Sequence, residues 1–347
     1  MTQVEIRTLA VDSTASERQR WDAYVHGCPQ ATFFHLSGWQ RVIHATLDHR
    51  TDYLYAERDG AIVGVLPLGQ VRSRLFGNAL TSVPFCVYGG VAADDAEAAA
   101  ALQARAIAIA GERGVDHLEL RHLDERNPDW PRKDLYVTFR KQISADDDAN
   151  MKAIPRKQRA MVRKGIEAGL VGEVDTDVER FFLAYSESVR NLGTPVMPKR
   201  WFAALKAEFG DACELLVITH EGRLVAGVMS FYFRDEVLPY YGGGNDLARE
   251  LKGNDFMYWE VMRRAAARGV RVFDYGRSKQ GTGSYSFKKN WGFEPQPLHY
   301  EFHLINAEEL PDVNPLNPKY RLFIAAWQRL PLPVSRIVGP WLARSLG

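Results

Sequence analysis

The most chemically suggestive part of this sequence is residues 274–294, DYGRSKQGTGSYSFKKNWGFE. A predicted strand ends at Tyr275, a loop with three glycines follows, and a short predicted helix leads to Trp291. Ligands of α/β proteins usually lie at loops that follow the carboxyl ends of strands, and glycines let a ligand approach the backbone. The cationic or hydroxyl-bearing side chains that could hold an anion such as phosphate are Arg277, Ser278, Lys279, Tyr285, Lys288 and Lys289. The alternative is a solvated basic surface loop.

A second basic segment, residues 151–164, contains no acidic residue. A helix begun at Pro155 would place Arg156, Arg159 and Arg163 on one face. Such a stripe can bind a polyphosphate or an RNA backbone. It can equally be an ordinary solvated helix face, so this segment alone does not decide between the two.

The stretch YYGGGN, residues 240–245, ends a predicted strand where backbone amides could be exposed, although a plain turn is the alternative. Tyr241 is a candidate proton donor there. The histidines show no HExxH or other metal-ligand spacing, so no metal site is predicted. GxSxG, P-loop and GxGxxG motifs are absent from the sequence, which disfavours a hydrolase, an NTPase and a dinucleotide enzyme.

The elements that must position these residues occur twice. Residues 52–69 and 214–232 both predict a strand, a tight turn and a strand. Each is followed by an extended stretch ending in Tyr-Gly-Gly, by a long helix that stops at a glycine (Gly114, Gly269), and by a buried strand. The matching order predicts two copies of one supersecondary unit and an α/β or α+β fold.

Length and composition agree with a two-domain soluble protein. The chain has 347 residues, 46% hydrophobic residues and a formal net charge of +1. That charge does not favour nucleic acid or membrane as a general partner. Three widely spaced cysteines suit a reducing compartment, and the first residues lack the apolar core of a signal peptide. We therefore expect a cytoplasmic protein, with domains at 1–145 and 146–305 and a tail at 306–347.

The tail has its own character. Residues 315–347 contain five basic residues and no acidic residue, interleaved with apolar residues that include Trp327 and Trp341. A basic amphipathic segment of this kind can lie on an anionic membrane, which would make the protein membrane-associated. Two helices folded back onto the body of the protein would show the same pattern.

Taken together, these residues resemble a known family. The element order and the Trp-Gly-Phe-Glu ending (291–294) are similar to the GNAT acyltransferase fold, and two such units in tandem look like the FemAB family. The stretches 154–165, 190–202 and 273–295 more closely resemble the FemAB-like subgroup associated with exosortase and PEP-CTERM systems. The FemAB family joins amino acids from aminoacyl-tRNA to a peptidoglycan precursor, and the subgroup accompanies exopolysaccharide gene clusters.

The resemblance implies roles for particular residues. Asp274, Tyr285 and Lys288 match the D…YK-type positions of CelD-like acyltransferases, although Phe287 directly precedes the lysine here. Arg156 and Arg163 fall where FemAB relatives carry a basic helix. The residues expected to bind substrate, from the glycine-rich loop, the basic helix and the start of the second long helix, are Arg156, Arg163, Asn254, Arg277, Ser278, Lys279 and Lys289.

The segment expected to bind coenzyme A departs from the GNAT pattern. GNAT enzymes hold the pyrophosphate with an R/Q-x-x-G-x-G/A loop at a helix start, but residues 249–255 read RELKGND. Asp255 would place negative charge where a phosphate needs amides and a positive helix end. No cofactor is therefore assigned, and the acyl donor is either aminoacyl-tRNA or acyl-CoA.

The leading hypothesis is an acyl- or aminoacyltransferase acting on a cell-envelope or exopolysaccharide precursor, a small molecule or a lipid- or nucleotide-linked sugar, with tRNA as a candidate partner. Asp274 would orient or deprotonate the nucleophile, Lys288 would stabilise the oxyanion or bind phosphate, and Tyr285 or Tyr241 would protonate the leaving group. One alternative is an acetyl-CoA-dependent sugar acetyltransferase. Another is a non-catalytic scaffold of polysaccharide export, attached to the membrane through residues 315–347.

Overall fold

The computed structural model describes residues 3–73, 77–310 and 318–346, and for residues 318–321 the backbone alone. The strands are β1 Glu5–Leu9, β2 Thr51–Arg58, β3 Ala61–Ser73, β4 Gly77–Ser82, β5 Ala92–Ala93, β6 His117–His122, β7 Arg132–Lys133, β8 Tyr136–Gln142, β9 Val171–Asp175, β10 Cys213–His220, β11 Arg223–Phe233, β12 Glu236–Gly244, β13 Val272–Asp274, β14 Ser278–Lys279, β15 Pro295–Pro297 and β16 His299–Leu304. The helices are α1 Ala15–Gly27, α2 Gly38–Leu47, α3 Ala96–Glu112, α4 Asp147–Ala153, α5 Arg156–Glu167, α6 Glu179–Asn191, α7 Lys199–Phe209, α8 Asp246–Glu250, α9 Gly253–Ala267, α10 Gly283–Asn290, α11 Pro318–Gln328 and α12 Leu332–Ala343.

The chain forms two α/β units, each built on an eight-stranded mixed sheet. The first sheet has the order β1-β2-β3-β4-β6-β16-β7, with β5 paired to β3. The second has the order β14-β8-β13-β12-β11-β10-β9, with β15 paired to β8. Each sheet is antiparallel except for one parallel pair, β4 with β6 and β12 with β13, among the pairings described. The predicted α/β class with two related units is therefore confirmed.

Both predicted hairpins are present, and their turns explain why they form. The turn of β2 and β3 is Asp59-Gly60, and that of β10 and β11 is Glu221-Gly222. All four residues have positive φ, between 49° and 77°. Two successive residues of positive φ give the turn that best matches the twist of paired strands, and glycine adopts this conformation without steric cost.

The helices that follow the hairpins end as the sequence predicts. The Asp95 side chain caps α3 by accepting from the Ala98 amide at 2.9 Å. Gly114 (φ +56°) ends the first long helix, and Gly269 (φ +78°) ends the second, α9. A buried strand follows each of these helix ends directly in the chain, β6 in the first unit and β13 in the second.

The compact units divide the chain differently from the boundaries that we expected at residues 145 and 305. The first unit contains the described residues up to 136, with 297–310 and 344–346, and the second contains 137–296 and 318–343. Strand β16, expected in the second domain, pairs with β6 of the first sheet. Strand β8, expected in the first domain, pairs with β13 of the second sheet. Pairing between strands so distant in sequence is not encoded in local patterns, which explains the difference.

In the second unit, the helices that flank the sheet fix the positions of the later site residues. Helix α9 is buried along much of its length, and its Phe256, Met257 and Trp259 join a core with Phe139 and Phe273 from the sheet. The tail expected at 306–347 is not a separate element where it is described, because α11 and α12 pack against α6 of this unit. None of the helices in the described ranges has the length and apolar character needed to cross a bilayer.

Candidate active site in the second unit

The parallel strands β12 and β13 diverge soon after they pair. The described pairing is confined to Glu236 with Val272 and Val237 with Phe273, although β12 continues to Gly244. A bulge at Tyr240 shifts the register of β12 against β11 at this point. A bulge bends the strand that contains it, so the later part of β12 departs from the line of its pairing with β13. Beyond Val237, no pairing with β13 is described for this edge of β12.

The loop after β13 is held by a buried carboxylate. Asp274 is completely buried, and its Oδ1 accepts hydrogen bonds from the Thr138 hydroxyl at 3.0 Å and from the Gly276 amide at 2.7 Å. Arg140 Nε lies 3.6 Å from the other carboxylate oxygen. Gly276 has φ +67°, a conformation that glycine adopts without strain. Asp274 therefore fixes the direction in which the chain leaves β13.

Lys288 of α10 holds the same loop from the carbonyl side. Its Nζ donates to the carbonyl oxygens of Gly276 at 2.9 Å and Arg277 at 3.0 Å. The Phe139 and Tyr275 rings lie 5.8 Å and 6.0 Å from this nitrogen. Desolvation by these surroundings lowers the pKa of Lys288 to about 7, against a smaller opposing effect of Asp274.

The two hydrogen bonds of Lys288 can be made by a neutral amine as well as by an ammonium. A neutral amino group has two N–H donors and one lone pair, and the two carbonyl oxygens satisfy both donors. The lone pair can then accept a proton. A group with a pKa near ambient pH, held in this way, has the properties of a general base that later acts as a general acid.

Two hydroxyl groups beside this loop are buried without a hydrogen-bond partner among the described residues. They are the Tyr275 hydroxyl and Ser278 Oγ. Burial raises the pKa of Tyr275 well above its ordinary value, so its hydroxyl remains protonated and can donate. An unsatisfied buried hydroxyl costs free energy, so each of these groups marks a position where a water molecule or a ligand atom would be stabilised.

Sequence and structure comparisons identify the fold. Residues 150–289 match the family described as "Acetyltransferase (GNAT) domain". The crystal structure of FemX is 16% identical and has a TM-score of 0.65, covering 92% of this chain and 100% of its own. The chain has a tandem GNAT-like fold.

Two further solved structures are similar to this tandem GNAT-like chain. One is a tandem GNAT protein from the clavulanic acid biosynthesis pathway, with 14% identity, a TM-score of 0.54 and coverage of 88% of this chain and 100% of its own. The other is the C-terminal domain of a putative lysylphosphatidylglycerol synthetase from Agrobacterium fabrum, with 13% identity, a TM-score of 0.57 and coverage of 85% and 93%. No curated protein sequence matches the chain significantly. Identities this low show the shared fold alone.

The second GNAT-like unit brings together three of the four residues predicted to be catalytic. Asp274 and Lys288 fix the loop after β13, and the half-buried Tyr285 packs edge-on against Phe139 with ring centroids 5.4 Å apart. Phe139 also lies against Lys288, so Tyr285 and Lys288 share this neighbour.

Tyr241 lies elsewhere, on the opposite face of the sheet. Its hydroxyl accepts from Trp201 Nε1 at 3.1 Å, and its ring meets Phe202 of α7 edge-on. Side chains alternate between the faces of a strand. A Cβ on the next residue, Gly242, would lie 3.1 Å from the Tyr258 hydroxyl of α9, whose ring packs on Tyr275. Tyr241 is thus grouped with α7, not with Lys288.

The predicted basic groups differ in how they are placed. Arg156 and Arg163 are exposed on α5, and neither forms a hydrogen bond or ion pair with the residues that the structure describes. Arg159 is different, because its guanidinium donates to the carbonyl oxygens of Lys152 and Ile154 at about 3.0 Å. Among the remaining predicted binding residues, Arg277 and Lys289 are exposed, Asn254 and Lys279 are half-buried, and Ser278 is buried.

Asp255 points into the protein, contrary to the placement that the sequence suggests. Its Oδ1 accepts from the Gln158 side-chain amide and from Trp291 Nε1, the latter at 3.0 Å. Burial raises the pKa of this carboxyl, against the effect of its two hydrogen bonds. The group joins α5, α9 and the end of α10. Its charge is therefore a weaker obstacle to phosphate binding at the start of α9 than the sequence implies.

In the first unit, side chains pack closely against the Tyr-Gly-Gly stretch at residues 88–90. A Cβ on Gly90 would lie 2.8 Å from the Cγ of the His122 ring, and His35 Nε2 lies 2.8 Å from the Gly90 carbonyl oxygen. His122 Nε2 accepts from the Val91 amide at 3.1 Å, and its Nδ1 faces buried Glu301. The described residues contain no cluster of His, Cys, Asp or Glu suited to a metal ion.

Sequence reasoning missed several residues of the second-unit site. Thr138 and Arg140 contact Asp274 from β8, which lies within the range expected for the first domain. Tyr275 and Tyr258 are not among the site residues that the sequence predicts. The signal that could have found Tyr275 is its position at the end of a buried strand, directly before a glycine-rich loop.

Proposed function

We propose that the second unit is an acyltransferase. It transfers an acyl or aminoacyl group from an activated ester or thioester to an amine or hydroxyl group of a cell-envelope or exopolysaccharide precursor. The observation that carries this proposal is the acetyltransferase-domain match over residues 150–289, which includes α5, the diverging strands and Lys288. The acceptor class is supported by the resemblance of three stretches to the exosortase-associated FemAB-like subgroup.

The chemistry follows from these groups. The acceptor's nitrogen or oxygen attacks the carbonyl carbon of the donor and gives up its proton, and the tetrahedral intermediate collapses with loss of the thiol or hydroxyl leaving group. Neutral Lys288 accepts the proton of the nucleophile and, as the ammonium, returns it to the leaving group. Amides on the unpaired edge of β12 can donate hydrogen bonds to the oxyanion.

Asp274 acts as a positioning residue in this scheme. Its carboxylate is fully buried, and it holds the Gly276 amide while Lys288 holds the Gly276 carbonyl oxygen. Removing the carboxylate would release the loop that carries Arg277 and Ser278. Tyr285, half-buried beside Phe139, is the nearest of the predicted tyrosines to supply a second proton donor.

The leading donor is aminoacyl-tRNA, which the FemAB resemblance implies. The exposed and unpaired Arg156 and Arg163 of α5 suit a phosphate backbone. Acyl-CoA is the second candidate. It is favoured by the inward position of the Asp255 carboxylate and by the description of the matching family.

Calorimetric titration of the full chain with acetyl-CoA and with charged tRNA distinguishes the donors. We expect saturable binding of charged tRNA, and weaker binding in Arg163→Ser. The slope of the logarithm of the binding constant against the logarithm of salt concentration should be smaller by about one in this variant, because each phosphate contact contributes roughly that amount. Arg223→Ser, which removes an exposed arginine outside α5, is the matched control. Saturable binding of acetyl-CoA alone would select the second donor. If neither donor binds or is consumed, the acyltransferase proposal is wrong.

A further inference from the structure

Helix α12 is packed with its less apolar side inwards. The residues that it buries are Ser335, Gly339 and Ala343, spaced by four along the helix. A Cβ on Gly339 would lie about 3.0 Å from the backbone of Val196, so this small-residue side approaches the body of the unit closely. The opposite side carries Ile337 and Trp341, which are 77% and 68% exposed. A soluble surface helix normally shows the reverse arrangement.

Helix α11 also exposes large apolar side chains. Its inner side is fixed by Trp327, which is buried, and by Ile324, which lies against Gly193. Its outer side carries Leu322 and Phe323, both exposed. We call the side chains of Leu322, Phe323, Ile337 and Trp341 the outer apolar face. Large apolar side chains exposed on neighbouring helices of one segment indicate a site of interaction with another molecule or a membrane.

The charge composition of the segment that carries this face favours one kind of partner. Residues 315–347 contain five of the 44 Lys and Arg residues and none of the 43 Asp and Glu residues, which leaves 39 basic against 43 acidic residues in the rest of the chain. Positive charge is therefore concentrated in the segment that carries the outer apolar face. A second copy of the chain, joined through the same face, would bring two such cationic segments together, which is unfavourable.

We propose that the outer apolar face of α11 and α12 docks on an anionic lipid bilayer surface. Ile337 and Trp341 would enter the boundary between headgroups and acyl chains, where the amphipathic ring of tryptophan is favoured. The exposed Arg329 would meet anionic headgroups. Helix α12 has 12 residues and is about 18 Å long, so it lies on the bilayer and does not span it.

Flotation of the full chain with vesicles tests this proposal. The vesicles contain phosphatidylcholine alone, or phosphatidylcholine with about one third phosphatidylglycerol. We expect binding to the anionic vesicles that weakens strongly between about 0.1 M and about 0.5 M salt, because the headgroup attraction is screened. Point substitutions are preferable to removal of the tail, because Trp327 and Gly339 are part of the packing of the unit.

The deciding variant is Ile337→Ser with Trp341→Ser, which should reduce vesicle partitioning by at least about tenfold. The control is Val171→Ser with Val174→Ser, which removes two exposed apolar side chains from β9 of the same unit and should leave partitioning unchanged. Equal flotation of the deciding variant and the wild type would overturn the proposal, as would equal binding to both kinds of vesicle. A concentration-dependent dimer that the variant abolishes, without flotation of the wild type, would assign the face to self-association instead.

Discussion

The amino nitrogen of Lys288 lies 2.9 Å from the carbonyl oxygen of Gly276. The amide of the same glycine donates to Asp274 at 2.7 Å, so one residue of the loop is held from both sides. This arrangement places a lysine with a pKa of about 7 against the loop that follows β13, the strand next to β12 in the sheet. The proposed chemistry depends on this lysine.

Replacing Lys288 should stop transfer without unfolding the protein. Lys288→Met retains the length of the side chain but has no basic nitrogen, and we expect turnover to fall by about a hundredfold or more, the usual contribution of a general base. The loss should be accompanied by disappearance of the rise in kcat/KM near pH 7. Steady-state rates across pH, with the donor chosen by titration, measure both effects.

Lys206→Met is the control for that experiment. Lys206 also donates to two backbone carbonyl oxygens, those of Gly210 and Cys213, but it lies at the end of α7. Its replacement removes the same kind of contact away from the candidate site, so turnover should remain within about twofold of wild type. Similar losses in the two variants would mean that Lys288 is structural.

The buried lysine also predicts how stability changes with pH. The pKa of Lys288 is about 7 in the folded protein and ordinarily 10.5, so between these values the unfolded chain binds more protons. Between these two pKa values, Lys288 therefore makes the free energy of unfolding increase with pH by about 1.4 kcal/mol per pH unit. Urea unfolding of wild type and Lys288→Met at several pH values above 7 should give slopes that differ by this amount. Parallel slopes would show that the folded-state pKa is not lowered.

Gly243 is predicted to be essential for packing at the diverging strands. A Cβ at this position would lie 2.5 Å from Ser188 Oγ of α6. Gly243→Ala should therefore lower the free energy of unfolding by about 1–3 kcal/mol, the usual cost of overpacking. Gly283→Ala, at the start of α10 with no atom within 4 Å of the new Cβ, should be neutral or slightly stabilising. Equal effects in thermal unfolding would contradict this account of β12.

The sequence predicted much of the fold because the determining signals are local. Asp59-Gly60 and Glu221-Gly222 specify the two hairpins, and Gly114 and Gly269 end the corresponding helices. The exchange of β8 and β16 between the expected domains was not predictable in this way. It depends on pairings such as Asp274 with Arg140, which are far apart in the sequence.

The candidate site was predictable in location but not in the direction of its side chains. The glycine-rich loop indicated Lys288 and Asp274, yet only the structure shows them holding the two sides of Gly276. Arg159 and Asp255 both bind groups within the unit instead of facing a ligand. A charged residue on a helix can point either way, since residue type and spacing do not reveal which partners tertiary packing supplies.

Asp255 should be important for stability as a hydrogen-bond acceptor. Asp255→Ala leaves the Gln158 amide and Trp291 indole donors without an acceptor, and we expect a loss of about 1–3 kcal/mol. Asp255→Asn retains one oxygen that can accept both bonds, and it should be considerably less destabilising. Equal losses in denaturant unfolding would mean that the charge, rather than the acceptor, is required.

Glu301 of β16 gives a test confined to the first unit. Hydrogen bonds from His122 and the Arg126 amide, acting against burial, lower the pKa of Glu301 to about 2 from an ordinary 4.5. Ionised Glu301 therefore adds roughly 3 kcal/mol to the free energy of unfolding. This contribution is present above pH 4.5 and is lost as pH falls towards 2. Glu301→Gln should therefore destabilise the protein near neutral pH and much less near pH 3. Exposed Glu308→Gln is the control, and a deficit independent of pH would contradict the prediction.

The most direct test of the central claim is a difference electron-density map from crystals soaked with the donor that titration selects. We predict density for the acyl group between the ends of β12 and β13, with the reacting carbonyl within reach of Lys288 and an amide of β12. Donor density at another place in the chain, with this opening empty at saturating concentration, would contradict it.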